Sequence, residues 1–194
     1  MATFNNTYQS WSPAYNATVT NPNWILTRSS TGVALTHTGT TSNALDGWVI
    51  IPVPVLNNTV NLGRGPTPTA FSLRLALQNS ATLNSFDLWD GEKPLFSAAL
   101  PPGPGGPRDG PSDGSAQTGE AGLLPGQVGE MKLGASVAAH ITFKETPNLD
   151  GKSEVRLIGA GVSFALVDPS VPETQPTDSA KALGVSGLAT VTVK

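Results

Sequence analysis

Ala70-Phe71-Ser72-Leu73-Arg74-Leu75-Ala76-Leu77-Gln78 opens the stretch that decides the fold, followed by a short polar break and Leu83-Asn84-Ser85-Phe86-Asp87-Leu88-Trp89. The pair Asp90-Gly91 comes next, then Lys93-Pro94-Leu95-Phe96-Ser97-Ala98-Ala99-Leu100. Phe71, Leu73, Leu75 and Leu77 alternate with Ser72, Arg74, Ala76 and Gln78. A period of two puts the first set on one face of a strand and the second on a wetter face. A helix would need apolar spacings of three and four. Phe86 and Leu88 share a face, Trp89 falls on the opposite one, and Asp90-Gly91 favours the positive φ of a tight hairpin. The stretch therefore reads as antiparallel strands joined by tight turns.

The same grammar extends outward. Leu45 to Ile51 is a β-branched run led by Trp48, and Pro52 and Pro54 then remove two backbone donors. Its second half is expected to form a sheet edge or leave the sheet. Short strands are expected near Ala14–Thr20, Trp24–Arg28 and Val33–Thr38, with Thr31-Gly32 as a hairpin turn. Ser136 to Phe143 alternates again, with Val137, Ala139, Ile141 and Phe143 on one face and His140 on the other. Val155 to Val167 is apolar but carries Gly159 and Gly161, a pattern of a bulge or bend. Ser186 to Val193 reads as a last strand. Asn57-Asn58, residues 63–68, Thr146-Pro147-Asn148, Asp150-Gly151 and Asp168 to Ser179 read as turns or loops.

Pro101 to Gly122 has seven Gly and five Pro in 22 residues, so little of it can pack, and it reads as a flexible insertion. The 194 residues are expected to form one domain, long enough to bury roughly 70% of the unfolded surface without cross-links. Many strands and no helical pattern predict an all-β, antiparallel β-sandwich, jelly-roll-like, with a long Pro/Gly-rich loop.

Trp48-Val49-Ile50-Ile51-Pro52-Val53-Pro54, then Phe86-Asp87-Leu88-Trp89-Asp90-Gly91, then Gly159-Ala160-Gly161-Val162-Ser163-Phe164 carry a resemblance. In that order they resemble an uncharacterised family of small all-β proteins, a domain of unknown function. That family has a Trp-led strand ending in Pro-x-Pro, a Trp-Asp-Gly hairpin and a late glycine-bearing strand. The resemblance spans Leu45 to Leu100 and Gly159 to Val167; the first forty residues and the Pro/Gly-rich insertion depart from it. It implies a sandwich-like fold and brings no catalytic residues.

Composition removes whole classes of chemistry. There is no Cys, so no disulfide, thiolate ligand or cysteine nucleophile. A net charge of -3 with 13% charged residues lacks the basic footprint of nucleic-acid binding. No run approaches the ~18 apolar residues of a spanning helix. The first residues lack a basic start and an apolar core, so no secretory signal is expected and a cytoplasmic location is the default. The triplets beginning at Asn5, Asn16 and Asn57 then read as ordinary turn residues. His37 and His140 are the only histidines and are not in a paired spacing, so neither metal nor cofactor is expected. Ser163 sits inside an apolar strand without the helix a nucleophile elbow needs. Gly103-Pro104-Gly105-Gly106 and Gly159-Ala160-Gly161 lack the remaining elements of phosphate loops.

Four Trp among twelve aromatics leave one positive lead. A Trp beside an Asp on a sheet can hold a sugar, the ring stacking on its apolar face while the carboxylate accepts hydroxyl protons. The candidates are Trp48, Asp87, Trp89 and Asp90, with the competing reading that Trp89 is core and Asp90 caps a hairpin. The expected function is a non-catalytic binding or self-assembling sandwich, lectin-like toward neutral glycans, with a small apolar molecule as another partner and homo-oligomers allowed. The alternatives are a cofactor-free isomerase or cyclase using His37, Asp46 or His140 in an apolar cavity, and a coat or filament subunit.

Overall fold

The computed structural model describes residues 7–30, 32–38, 45–55, 66–77, 81–99, 108–109, 117–144, 154–165 and 191–193. Its strands are β1 (Thr7–Pro13), β2 (Thr18–Val19), β3 (Trp24–Ser29), β4 (Gly32–His37), β5 (Asp46–Val53), β6 (Thr67–Ala76), β7 (Ala81–Asp90), β8 (Lys93–Ala99), β9 (Arg108–Asp109), β10 (Gln117–Gly122), β11 (Ala135–Phe143), β12 (Glu154–Ala165) and β13 (Val191–Val193). They form two antiparallel sheets, so the chain is an all-β sandwich. Sheet A runs β13-β10-β6-β12-β4-β3, with β1 also paired to β12. Sheet B runs β2-β5-β11-β7-β8, with β9 paired to β7.

Alternation decides which side chains meet between the sheets. Phe71, Leu73 and Leu75 of β6 face Phe86 and Leu88 of β7 and Val137, Ala139, Ile141 and Phe143 of β11, all within the buried core. Phe71 and Phe86 touch with centroids 5.2 Å apart. Each such fully buried large side chain contributes about 1.5–3 kcal/mol by leaving water, which fixes the register of every strand that carries one.

The central hairpin folds as its sequence predicts, β7 turning into β8 through Gly91 at φ 60°. The prolines of β5 also act as expected. Thr18 and Val19 pair with Ile50 and Val49, and among the described residues no strand continues along the second half of β5 on that side, where Pro52 lies opposite Ser136. The register slips between Leu157 and Gly159, the expected bulge.

Four expectations change, the first being that Thr67 and Pro68, read as part of a loop, already pair with β12 as the start of β6. Ala14–Asn16 is a 3-10 turn, not a strand, because the chain there crosses from sheet A to sheet B and buries Ala14 and Ala17 on the way. The span 101–122 does not stay a loop to its end: Gln117–Gly122 is a strand of sheet A paired to β6. Gly119 makes this possible, since a Cβ there would lie 3.1 Å from the Phe86 ring. The outer face of β6 is also drier than alternation implies, with Arg74 exposed but Ser72 and Ala76 buried. Thr31, residues 56–65 with the Asn57-Asn58 turn, most of 101–116, the turns of 145–150, the loop of 168–179 and residues 186–190 lie outside the described residues.

Candidate aromatic face on sheet B

The outward positions of β5, β11, β7 and β8 line up in rows across sheet B. Asp46 pairs with Thr142, Trp48 with His140, Ile50 with Ala138 and Pro52 with Ser136. On the other side of β11, Ala138 pairs with Asp87 and Ser136 with Trp89, and Asp87 pairs in turn with Ser97 of β8. Trp48 and Trp89 therefore start two strands and two rows apart. Their rings nevertheless come within 6.2 Å, tilted by 58°. Both lean inward over Ala138, whose outward-pointing methyl is fully buried. A small residue on the middle strand is what lets two indoles converge.

His140 completes the cluster. Its ring stacks on Trp48 at 4.7 Å with 14° between planes, and its Nε2 lies 3.0 Å from Asp46 Oδ2. Thr142 donates its hydroxyl to Asp46 Oδ1 at 2.6 Å and accepts from Asn84 Nδ2 at 2.8 Å. Burial pushes the Asp46 carboxyl up, but the hydrogen bonds from His140 and Thr142 and the charge of His140 outweigh it and hold it below its ordinary value.

Asp87 has the opposite character. It points outward yet is only 7% exposed, and Ser97 donates its hydroxyl to Oδ1 at 2.7 Å. Burial dominates and pushes its carboxyl up, against the pull of Ser97, Trp89, Ser85 and the His140 charge. The Trp89 Nε1–H is buried and makes no hydrogen bond of regular geometry, though it lies near enough to Asp87 to favour the carboxylate. A proton acceptor thus sits beneath an aromatic pair, in surroundings where a charge is costly and a ligand hydroxyl would be welcome.

Of the four residues singled out from sequence, Trp48, Asp87 and Trp89 come together here. Trp89 lies on the outer face, half-buried, and not in the core. Asp90 points the other way. Its carboxylate accepts the backbone N–H groups of Lys132 (2.9 Å), Leu133 (2.7 Å) and Gly134 (2.9 Å), so it clamps the loop before β11. Burial raises its pKa, but these three donors and the Lys132 charge lower it further, leaving it below its ordinary value. His140 and Asp46 belong to the cluster, and sequence offered them only as proton-transfer candidates. His37 lies elsewhere, its ring 4.6 Å from Phe143.

A surface pocket of about 250 Å³ lies beside the loop that Asp90 holds, lined by Val55, Met131, Lys132, Leu133 and Gly134. It contains none of His37, Asp46 and His140. Among the described residues no group of three or more His, Asp or Glu is arranged to hold a metal ion, and no helix is long and apolar enough to cross a membrane.

No protein-family model matches the chain, and no curated protein matches it. Among solved structures it is similar to the C-terminal CBM6 of LamC, a marine laminarinase from Zobellia galactanivorans. The TM-score is 0.36 at 12% identity, over 81% of this chain and 99% of that one.

Proposed function

We propose that the protein is a non-catalytic β-sandwich that binds neutral glycans on the outer face of sheet B. The observation that carries this reading is the convergence of Trp48 and Trp89 over Ala138, beside the outward but desolvated Asp87. Indole faces suit the apolar C–H faces of sugar rings, and a desolvated carboxylate gains from accepting a further hydroxyl proton. One face of Trp48 is taken by His140, so Trp89 supplies the principal stacking surface. Asp46 and His140 lie at one side of the pair and offer further polar contacts to hydroxyls.

Calorimetric titration with soluble neutral oligosaccharides of gluco, manno, xylo and galacto type tests the reading. Saturable binding to at least one class is expected. Trp89→Ala should weaken it at least tenfold, about 1.4 kcal/mol, with little change in melting temperature because the ring lies outside the core. An absence of binding across the classes, or full affinity in the folded Trp89→Ala variant, would overturn it.

A further inference from the structure

The outer face of sheet A carries a further indole in a different setting. Trp11 of β1 stands directly opposite Gly161 of β12. A Cβ built on Gly161 would fall 2.7 Å from Trp11 Cε3, and one built on Gly159 would fall 2.9 Å from Trp11 Cζ2. Those atoms lie on opposite sides of the six-membered ring. The ring therefore runs along β12 in the space that two missing side chains leave, over bare backbone. Trp11 remains 45% exposed in that position.

Polar groups continue outward from the ring on the same face. Gly161 pairs with Ser72 and Gly159 with Arg74 on β6, and Ser72 pairs with Glu120 on β10. Arg74 and Glu120 are both exposed and sit as diagonal neighbours across the β6–β10 pair. Ser72 itself is buried, so with strands about 4.8 Å apart a ring-sized ligand seated on Trp11 has a guanidinium and a carboxylate along its side. Arg74 offers donors and Glu120 acceptors, a pairing that suits a ring rich in hydroxyl groups.

We infer that this face is a second carbohydrate platform, with Trp11 stacking a neutral sugar ring and the exposed Arg74 and Glu120 hydrogen-bonding its hydroxyls. It shares no residue with the sheet-B face and takes from that reading only the ligand class. Covering Gly159 and Gly161 is a structural duty of the lower side of the indole; the platform uses the accessible side.

Two-dimensional proton–nitrogen NMR of the indole N–H groups separates the two faces, because the chain has four Trp residues, 11, 24, 48 and 89. The same four oligosaccharide classes are titrated into the full chain. A saturable shift of the Trp11 signal is expected with at least one of them, while the signal of the core residue Trp24 stays still. Arg74→Ala combined with Glu120→Gln leaves Trp11 on its glycines and should weaken that response at least tenfold. A Trp11 signal that does not move with any class overturns the platform, as does an undiminished response in the double variant. Failure of the sheet-B reading would register separately, in the Trp48 and Trp89 signals.

Discussion

Replacing Asp90 by Ala tests the assignment of this carboxylate to a loop clamp. The side chain is 7% exposed and accepts three backbone N–H groups at 2.7 to 2.9 Å. Hydrogen bonds to a charged group contribute about 1.5–3 kcal/mol each. Lys132 and Leu133 are exposed, so water can replace part of what their N–H groups lose. A total of about 3–4 kcal/mol is the expected loss, a large share of a typical stability of about 5–15 kcal/mol. In a domain of this size that corresponds to roughly 10 °C in melting temperature. Urea denaturation followed by Trp fluorescence gives the difference directly.

The pH dependence makes the prediction sharper. The folded pKa of Asp90 lies below its ordinary value of 3.8. Its stabilisation is therefore full above the unfolded pKa and is lost as pH falls through the folded one. The wild-type and Asp90→Ala curves should be separated at neutral pH and converge in acid. A difference under about 1 kcal/mol at neutral pH, or a gap that persists unchanged into acid, would refute the clamp.

Two further changes probe the faces of the sandwich. Gly159→Ala would place a Cβ 2.5 Å from the Ser12 carbonyl oxygen, whereas Gly161→Ala meets the Trp11 ring and Ser72 Oγ. Backbone yields less than side chains, so chemical denaturation should show Gly159→Ala costing about 2–3 kcal/mol and Gly161→Ala about 1; the reverse ranking would contradict the seating of β1 on β12. Asp87 has a raised folded pKa, so its contribution to stability is full below the unfolded pKa and declines as pH rises through the folded one. Asp87→Asn keeps an acceptor for Ser97 and removes the buried charge. It should equal or exceed the wild type in stability at neutral pH, and a loss greater than about 1 kcal/mol in denaturant melts would show that the charge is needed.

The hairpin from Phe86 to Phe96 was legible because everything that forms it is local: alternation, an Asp-Gly turn and one aromatic out of phase. The edge half of β5 was legible from two prolines for the same reason. The meeting of Trp48, His140 and Asp46 was not, because it depends on how residues 46–53 slide against residues 135–143, and a slip of one position would turn His140 inward. Asp90 shows the limit most clearly. Its place beside Gly91 is a local fact, but its partners lie at 132–134 and only the packed sheet delivers them. Trp11 stands among polar residues, Gln9, Ser10 and Ser12, with no local sign of what it packs on. The two glycines that receive it lie across a strand pairing that no local pattern specifies.

β12 pairs with β6 along one side and, along the other, with β4 and β1 end to end. Thr7 finds its partner at Ala165 and Pro13 at Gly159. During synthesis the first strand must wait, unpaired, until residues 159–165 have left the ribosome, and β4 must wait nearly as long for residues 154–157. Sheet A thus assembles around a late keystone. Contacts this distant in sequence make for slow folding, and until β12 arrives β1, β4 and β6 each present an open edge to neighbouring chains.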